Sequence, residues 1–274
     1  MNQINQKVFK FIKILINTRE VNELEKYEDQ GVKVAAHTYD VLKISIDEIK
    51  KQYGTIDNSL KEIDLFSIII GVIIHDLSKG SIRAKSEIFS HSQMMLKKPD
   101  YIVKESENIL KEVEEKTNFI LKDKIKKQIT HIVVSHHGKW GKIYPSTKEA
   151  KIVHRADMYS AKYHRINPIS ANEILELLTK GYNMVEVSHK ISCTLGVVKD
   201  RLKRAKIETN CKNTKHLLNY YKKLKKVPIG DEFFTKRVKE TSELISSVET
   251  KGFKTLILKN EALKYLRDED VFED

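Results

Sequence analysis

Residues 68–80, "IIIGVIIHDLSKG", join a run of apolar side chains to an adjacent histidine and aspartate, His75 and Asp76. A helix that is apolar on nearly all sides is buried in the centre of a helical protein. The pair follows the apolar run directly, so we expect it at the mouth of the core. A charged group there is costly unless it meets a partner or a metal ion. The stretch therefore predicts a central helix that leads into a functional site.

The composition favours a mostly helical protein. The 274 residues include only ten Gly and four Pro, and 40% of them are apolar, which is enough for a sizeable core. Apolar residues recur with the helical period along most of the chain. We predict an all-α protein whose first helices cover residues 3–17, 31–52, 62–77, 86–97, 101–116 and 121–136.

A change of composition near Asn167 and Pro168 predicts two regions. Residues 1–168 are expected to form a helical bundle, and residues 169–274 a smaller, mostly helical region. The interval 171–207 has the pattern of three short helices that resemble a helix-turn-helix.

Four details of these regions are also predicted. The second short helix should point Val185 and Ile191 inward. The sequence "FKTLIL", residues 253–258, is typical of a strand, and a helix is expected around 233–248. Ser146 and Glu149 have the spacing of a capping box at a helix start.

The net charge, the cysteines and the apolar runs limit which partners and which location the sequence allows. The net charge of +12 favours an anionic partner, although a lysine-rich proteome would also explain it. The two cysteines cannot form a disulfide framework. The longest apolar run, around residues 65–75, is too short to span a membrane. We expect a cytoplasmic protein that does not cross a membrane.

Much of the positive charge is concentrated in one interval. From Lys199 to Lys226 there are eleven basic residues and two acidic ones, which gives +9. A recognition helix needs an apolar underside and a cationic outer face. Residues 171–226 are therefore predicted to contact DNA or RNA; the alternative is a packing or oligomerisation domain with solvated lysines.

Five polar side chains fall on apolar faces of different predicted helices or at their ends: His37, His75, Asp76, His136 and Asp157. A single buried histidine is usually a hydrogen-bonded core residue. Five such residues in one domain are better explained by a shared ion, because imidazole and carboxylate together suit Zn²⁺, Mn²⁺ or Fe.

The order of these residues resembles the HD-domain metal-dependent phosphohydrolases over roughly residues 30–165. "HDLSK" (75–79) is similar to the His-Asp-x-x-Lys element of that family. The segment "VVSHHGKWGKIYPSTKEAKIVHRADMYSAK" (133–162) resembles a subgroup, the HD-domain 3'–5' exoribonucleases of Gram-positive bacteria. Those enzymes carry an OB-type domain before the HD domain, and the roughly thirty residues before His37 are too few for one.

The resemblance implies a ligand set for divalent metal ions, namely Mn, Fe, Zn, Ni or Mg, with one or two ions per site. The first ion would be bound by His37, His75, Asp76 and Asp157. A second ion would add His91 and His136, with His137 as the alternative to His136 and Asp76 as the bridge. His131 and His154 are expected to be structural.

Lys79 follows Asp76 by three residues and is expected near the same helix end. Asp76 and Lys79 are the predicted catalytic residues, since an ammonium group could neutralise a phosphate oxygen; the alternative for Lys79 is a solvated lysine. Lys139 and Lys142, beside the His136 turn, could guide a polyanion.

These features predict a metal-dependent, nuclease-like phosphohydrolase or phosphodiesterase whose substrate is a nucleotide or a nucleic-acid phosphodiester. The basic second region would recruit it to nucleic acid. The alternative is a nucleic-acid-binding regulator that uses the first domain as a nucleotide sensor or scaffold. A third interpretation is a small-nucleotide phosphatase whose basic region only packs.

Overall fold

The computed structural model describes residues 5–29, 32–80, 91–164, 169–191, 193–224 and 231–273, with the backbone alone for 231–238. In these residues the fold is all-α, as predicted, apart from one pair of two-residue strands. Contacts divide the chain into a first unit, Met1–Ile166 with Thr241–Asp274, and a second unit, Asn167–Glu240. No helix in the described ranges has the length and apolar character needed to cross a membrane.

The described part of the first unit contains the following helices and strands before residue 164. In chain order they are α1 (Gln6–Leu15), α2 (Arg19–Glu23), β1 (Glu28–Asp29), β2 (Val32–Lys33), α3 (Val34–Tyr53), α4 (Ile56–Ser59), α5 (Leu65–Ile74), α6 (His91–Lys97), α7 (Pro99–Thr117), α8 (Asp123–Ser135) and α9 (Lys148–Tyr163). The two short strands pair antiparallel. A 3₁₀ turn, Gly138–Trp140, lies between α8 and α9.

The central helix is α5, whose residues are all buried. It begins at the N-cap Asp64, whose carboxylate accepts a hydrogen bond from the Ser67 amide. Its closest neighbour is α8, and Gly71 permits this approach: a Cβ atom on Gly71 would lie 2.7 Å from the Ile132 side chain. The sequence therefore places a small residue where two buried helices cross.

The start of α9 differs from the predicted capping box. Thr147 is the N-cap, and its hydroxyl accepts from the Ala150 amide. Glu149 instead accepts a hydrogen bond from the Asp64 amide at the start of α5. The acid that was expected to cap its own helix thus connects two helices.

The second unit contains α10 (Ala171–Thr179), α11 (Met184–Lys190), α12 (Leu195–Glu208) and α13 (Thr214–Leu224), around their own apolar cluster. Ile191 packs against this cluster, but the prediction for Val185 is wrong, since its side chain is 50% exposed and Val187 is buried. The capping box of Asn183 and Glu186 fixes the start of α11 and hence which side faces inward.

The C-terminal residues return to the first unit, unlike the predicted assignment of 169–274 to one region. They comprise the part of α14 (Asp231–Lys251) from Thr241 onward, α15 (Phe253–Leu258), a 3₁₀ segment (Glu261–Tyr265) and α16 (Asp268–Val271). The Phe272 ring lies 5.7 Å from Phe11 and 6.3 Å from Phe66, so it completes the core of the first unit.

The predicted strand at residues 253–258 is a helix, α15. Phe253 and Ile257 are both buried and lie four residues apart, so one helical face packs on the core. A strand would need a sheet edge, and among the described residues the only sheet is the two-residue pair β1–β2.

Candidate metal centre

Four polar side chains from α3, the end of α5 and α9 meet inside the first unit: His37, His75, Asp76 and Asp157. His37 Nε2 lies 2.9 Å from Asp157 Oδ1 and 3.6 Å from Asp76 Oδ2. His75 Nε2 lies 3.4 Å from Asp76 Oδ2 and 4.0 Å from Asp157 Oδ1. All four residues are buried. Donors that are far apart in sequence thus surround one small volume.

Three further histidines line the other side of Asp76. His91 Nε2 lies 3.3 Å and His136 Nε2 3.8 Å from Asp76 Oδ1. The His137 ring is 4.5 Å from the His136 ring and 4.9 Å from the His91 ring, centroid to centroid. His136 therefore joins His75 and Asp76 in one set of donors within 4.8 Å, and His91 and His137 in another.

Four donor atoms of this cluster are buried and have no hydrogen-bond partner among the described residues: His75 Nε2, Asp76 Oδ1, His91 Nε2 and His136 Nε2. An unsatisfied buried polar atom costs about 1–3 kcal/mol, so four neighbours of this kind require a common partner. A divalent cation accepts both imidazole nitrogen and carboxylate oxygen. The residues present therefore fit such an ion.

The tautomers of two of these histidines are set by backbone carbonyls. His75 Nδ1 donates to Val72 O at 2.6 Å, and His136 Nδ1 donates to Val133 O at 2.6 Å. The proton on Nδ1 leaves the lone pair of the neutral ring on Nε2, the atom that faces the cluster. Each carbonyl lies three residues earlier in the same helix.

The charge states also suit a cation. Burial lowers the pKa of His91 to about 3 and lowers the pKa of His75 and His136 as well. Burial opposes ionisation of Asp76, but Lys79 and the surrounding histidines hold its pKa well below the usual range. At neutral pH the imidazoles are therefore neutral and this carboxylate is ionised, as metal ligands must be.

Lys79 lies inside this site, not in solvent. Its Nζ is 2.6 Å from Asp76 Oδ2 and 3.4 Å from Asp29 Oδ2, and the residue is only 6% exposed. The interpretation of Lys79 as a solvated lysine is therefore wrong. Lys139 and Lys142 are exposed on the loop after His137.

The other two histidines make the structural contacts that were expected of them. His131 Nε2 accepts from the Ser146 amide at 3.1 Å. His154 Nδ1 donates to His136 O at 2.6 Å, and its ring lies against Gly138, where a Cβ atom would be only 2.4 Å away. His154 thus supports the turn that follows His136.

Sequence reasoning missed two side chains that support the cluster. Ser160 Oγ lies 2.9 Å from His37 Nδ1. It follows Asp157 by three residues, so helical spacing alone could have placed it on the inner face. Asp29 reaches Lys79 from the β1 strand, and no local pattern indicates that contact.

Residues 34–162, just under half of the chain, match the family model of the HD domain. The comparisons with curated proteins and with solved structures found no match. The matched segment includes all six predicted metal ligands and Lys79. The match supports membership of the HD superfamily, whose domains are generally metal-dependent phosphohydrolases, for the helical bundle formed by residues 34–162.

Proposed function

We propose that the first unit hydrolyses phosphoester bonds of a nucleotide or a nucleic acid with the help of two divalent cations. The observation that carries this proposal is the group of four buried donor atoms around Asp76 that lack a hydrogen-bond partner in the described part of the chain. A site that only stabilised the fold would pair such atoms with one another.

The proposed ligands form two sets that share one carboxylate. The first set is His37, His75, Asp76 and Asp157, and the second is Asp76, His91 and His136. Bound cations would supply Lewis-acid activation of the phosphoester and of a water molecule. The chemistry needs donors that are already deprotonated, and the lowered pKa values of His75, His91 and Asp76 support this.

We assign Lys79 to charge neutralisation. Its ammonium group pairs with Asp76 and Asp29, directly beside the proposed metal ligands. An ammonium that is largely shielded from water interacts more strongly with an anion than a solvated one. Lys79 would hold Asp76 ionised and attract a non-bridging phosphate oxygen.

We further propose that the second unit binds DNA or RNA. On α12, Val198, Leu202 and Ala205 are buried, whereas Lys199 and Lys203 are exposed. The helix thus has the apolar underside and the cationic outer face that a groove-binding helix needs. The interval from Lys199 to Lys226, with its charge of +9, supports contact with phosphates.

Nuclease activity is the more specific form of the proposed phosphoester hydrolysis. It is supported by the resemblance of residues 133–162 to the exoribonuclease subgroup and by the basic second unit. A panel of 3'-labelled and 5'-labelled RNA and DNA oligomers, together with mononucleotides, would distinguish a 3'–5' exonuclease from a small-nucleotide phosphatase.

The direct test combines metal analysis of the purified protein with hydrolysis of a model phosphodiester. We expect bound divalent metal and turnover in the wild type, and loss of both in Asp76→Ala. Asp40→Asn is the matched control, because Asp40 is a buried carboxylate on α3 that pairs with His164. If the wild type binds no divalent metal and hydrolyses no phosphoester with Mn²⁺ supplied, the proposed function is wrong.

A further inference from the structure

The only tryptophan of the chain is exposed and follows His136, a candidate metal ligand, by four residues. Trp140 is 58% exposed and ends the 3₁₀ turn that starts two residues after His136. Tyr144, four residues later, is 64% exposed. Large aromatic side chains usually bury most of their surface, and exposed ones at the edge of a site are typical of ligand contacts.

The turn that carries the indole is held in place by backbone contacts. The Trp140 amide donates to His137 O at 3.1 Å, and the Lys142 amide donates to Met95 O at 3.1 Å. Met95 is buried on α6, the helix that begins with His91. The backbone just after the turn is therefore joined by a hydrogen bond to α6, the helix that carries His91.

The charge near the indole is positive. Lys139 Nζ lies 4.8 Å from the centroid of the Trp140 ring, and Lys142 is exposed two residues further on. An aromatic face stacks on any nucleobase, while ammonium groups pair with phosphate oxygens. An apolar peptide would use the rings but would have no use for these cations.

We infer that Trp140 is a nucleobase-stacking residue, so that the substrate of the first unit is a base-bearing phosphoester. This inference rests on the proposed function and names the residue that would recognise the base of its substrate. The base would lie on the indole, with Lys139 or Lys142 paired to a phosphate of the same molecule. Trp140 then contributes to substrate affinity and not to the chemical step.

Binding can be tested without hydrolysis, because Trp140 is the only source of tryptophan fluorescence. The protein as purified is titrated with adenosine 5'-monophosphate and, in parallel, with ribose 5-phosphate. We expect saturable quenching by the nucleotide and none by the sugar phosphate. No quenching by the nucleotide, or equal quenching by both compounds, would overturn the stacking role.

The second test compares an oligonucleotide with an oligomer of the same length in which all bases are removed. Trp140→Leu should raise KM for the base-bearing oligomer by about 5- to 150-fold with little change in kcat. It should not change KM for the abasic oligomer, and Trp140→Phe should retain most of the affinity. Equal effects of Trp140→Leu on both oligomers would refute stacking.

Tyr159→Leu is the control for loss of an exposed aromatic ring. Tyr159 is 47% exposed and lies two residues after the buried Asp157, on the opposite side of α9. We expect no change of KM in this variant, and an effect equal to that of Trp140→Leu would contradict a specific site. If the wild type hydrolyses neither oligomer, the nuclease form of the proposed function fails, and the quenching experiment still decides the role of Trp140.

Discussion

The two units carry their functional side chains in opposite ways. In the first unit, Asp76 and its histidine neighbours are buried, and their separations of 3.3–3.8 Å constrain what can bind between them. In the second unit, Lys199 and Lys203 are exposed on α12, and their charge is available to many anions. A buried cluster therefore defines its ligand by geometry, whereas an exposed basic face defines only the sign of its partner's charge.

The largest expected effect comes from removing the carboxylate that the two donor sets share. Asp76→Ala should lower kcat/KM for a phosphodiester by at least about 10³-fold, since Lewis-acid activation contributes several kcal/mol to such reactions. Steady-state kinetics and metal content measure the result. Full activity in Asp76→Ala would show that the buried cluster does not define the chemistry.

The same variant distinguishes the enzyme interpretation from the interpretation as a nucleotide sensor. A sensor could keep nucleotide affinity without turnover, so equilibrium binding of nucleotides should be measured for the wild type and for Asp76→Ala. If the wild type binds nucleotides but shows no turnover with any supplied divalent metal, the regulator interpretation replaces the enzyme.

The second largest effect is expected at Ser160, whose hydroxyl contacts Nδ1 of His37. Ser160→Ala removes the hydroxyl 2.9 Å from His37 Nδ1 and should weaken metal affinity by about 10- to 100-fold, as loss of an outer hydrogen bond to a ligating histidine does. Metal titration with a competing chelator measures the change.

Ser106→Ala is the matched control for Ser160→Ala. Ser106 is also a buried serine on a long helix of the first unit, but its hydroxyl donates to Ile102 O within α7. Its loss should leave metal affinity unchanged. Equal losses in both variants would mean that the effect at Ser160 comes from stability and not from the orientation of His37.

Much of the candidate site could be predicted from the sequence because its residues follow helical periods. His37 lies on the apolar stripe of α3, and Asp157 on that of α9. The contact of Asp29 with Lys79 could not be predicted, since it joins two elements that are fifty residues apart in sequence by tertiary packing alone.

The errors in the predicted fold also arise where tertiary packing decides what the local sequence leaves open. "FKTLIL" is a short apolar run that suits a strand or a buried helix equally well, and packing of Phe253 decided for the helix. The N-cap at Asn183 fixes which face of α11 points inward, and it leaves Val185 exposed and Val187 buried, contrary to the prediction. The return of Phe272 to the first core is a long-range contact that no local period reveals.

A smaller effect is expected when a helical glycine is replaced by alanine, once in each unit. Gly71→Ala places a Cβ atom 2.7 Å from Ile132 and should lower the free energy of unfolding by roughly 1–3 kcal/mol. Gly196→Ala on α12 meets, within the described part of the chain, only Thr194 Oγ at 3.6 Å, and it should raise helix stability by up to about 1 kcal/mol. Urea unfolding measures both.

These two glycines distinguish a tight helix crossing from an open helix surface. Ile132→Val in the Gly71→Ala background should recover part of the loss, because it removes a methyl group from the contact. An equal response of Gly71→Ala and Gly196→Ala would contradict the close packing of α5 on α8.

The smallest effect is expected from replacement of one exposed lysine on the basic outer face of α12. Lys203→Gln should weaken nucleic-acid binding about fivefold near physiological salt and reduce the slope of log K against log salt by about 0.9, the value for one phosphate contact. Lys127→Gln, an exposed lysine of α8 in the first unit, changes the net charge equally and is the control. Fluorescence anisotropy of a labelled duplex at several salt concentrations measures both slopes. If the two variants change the slope equally, long-range attraction by the net charge explains binding, and the face of α12 has no special part in it.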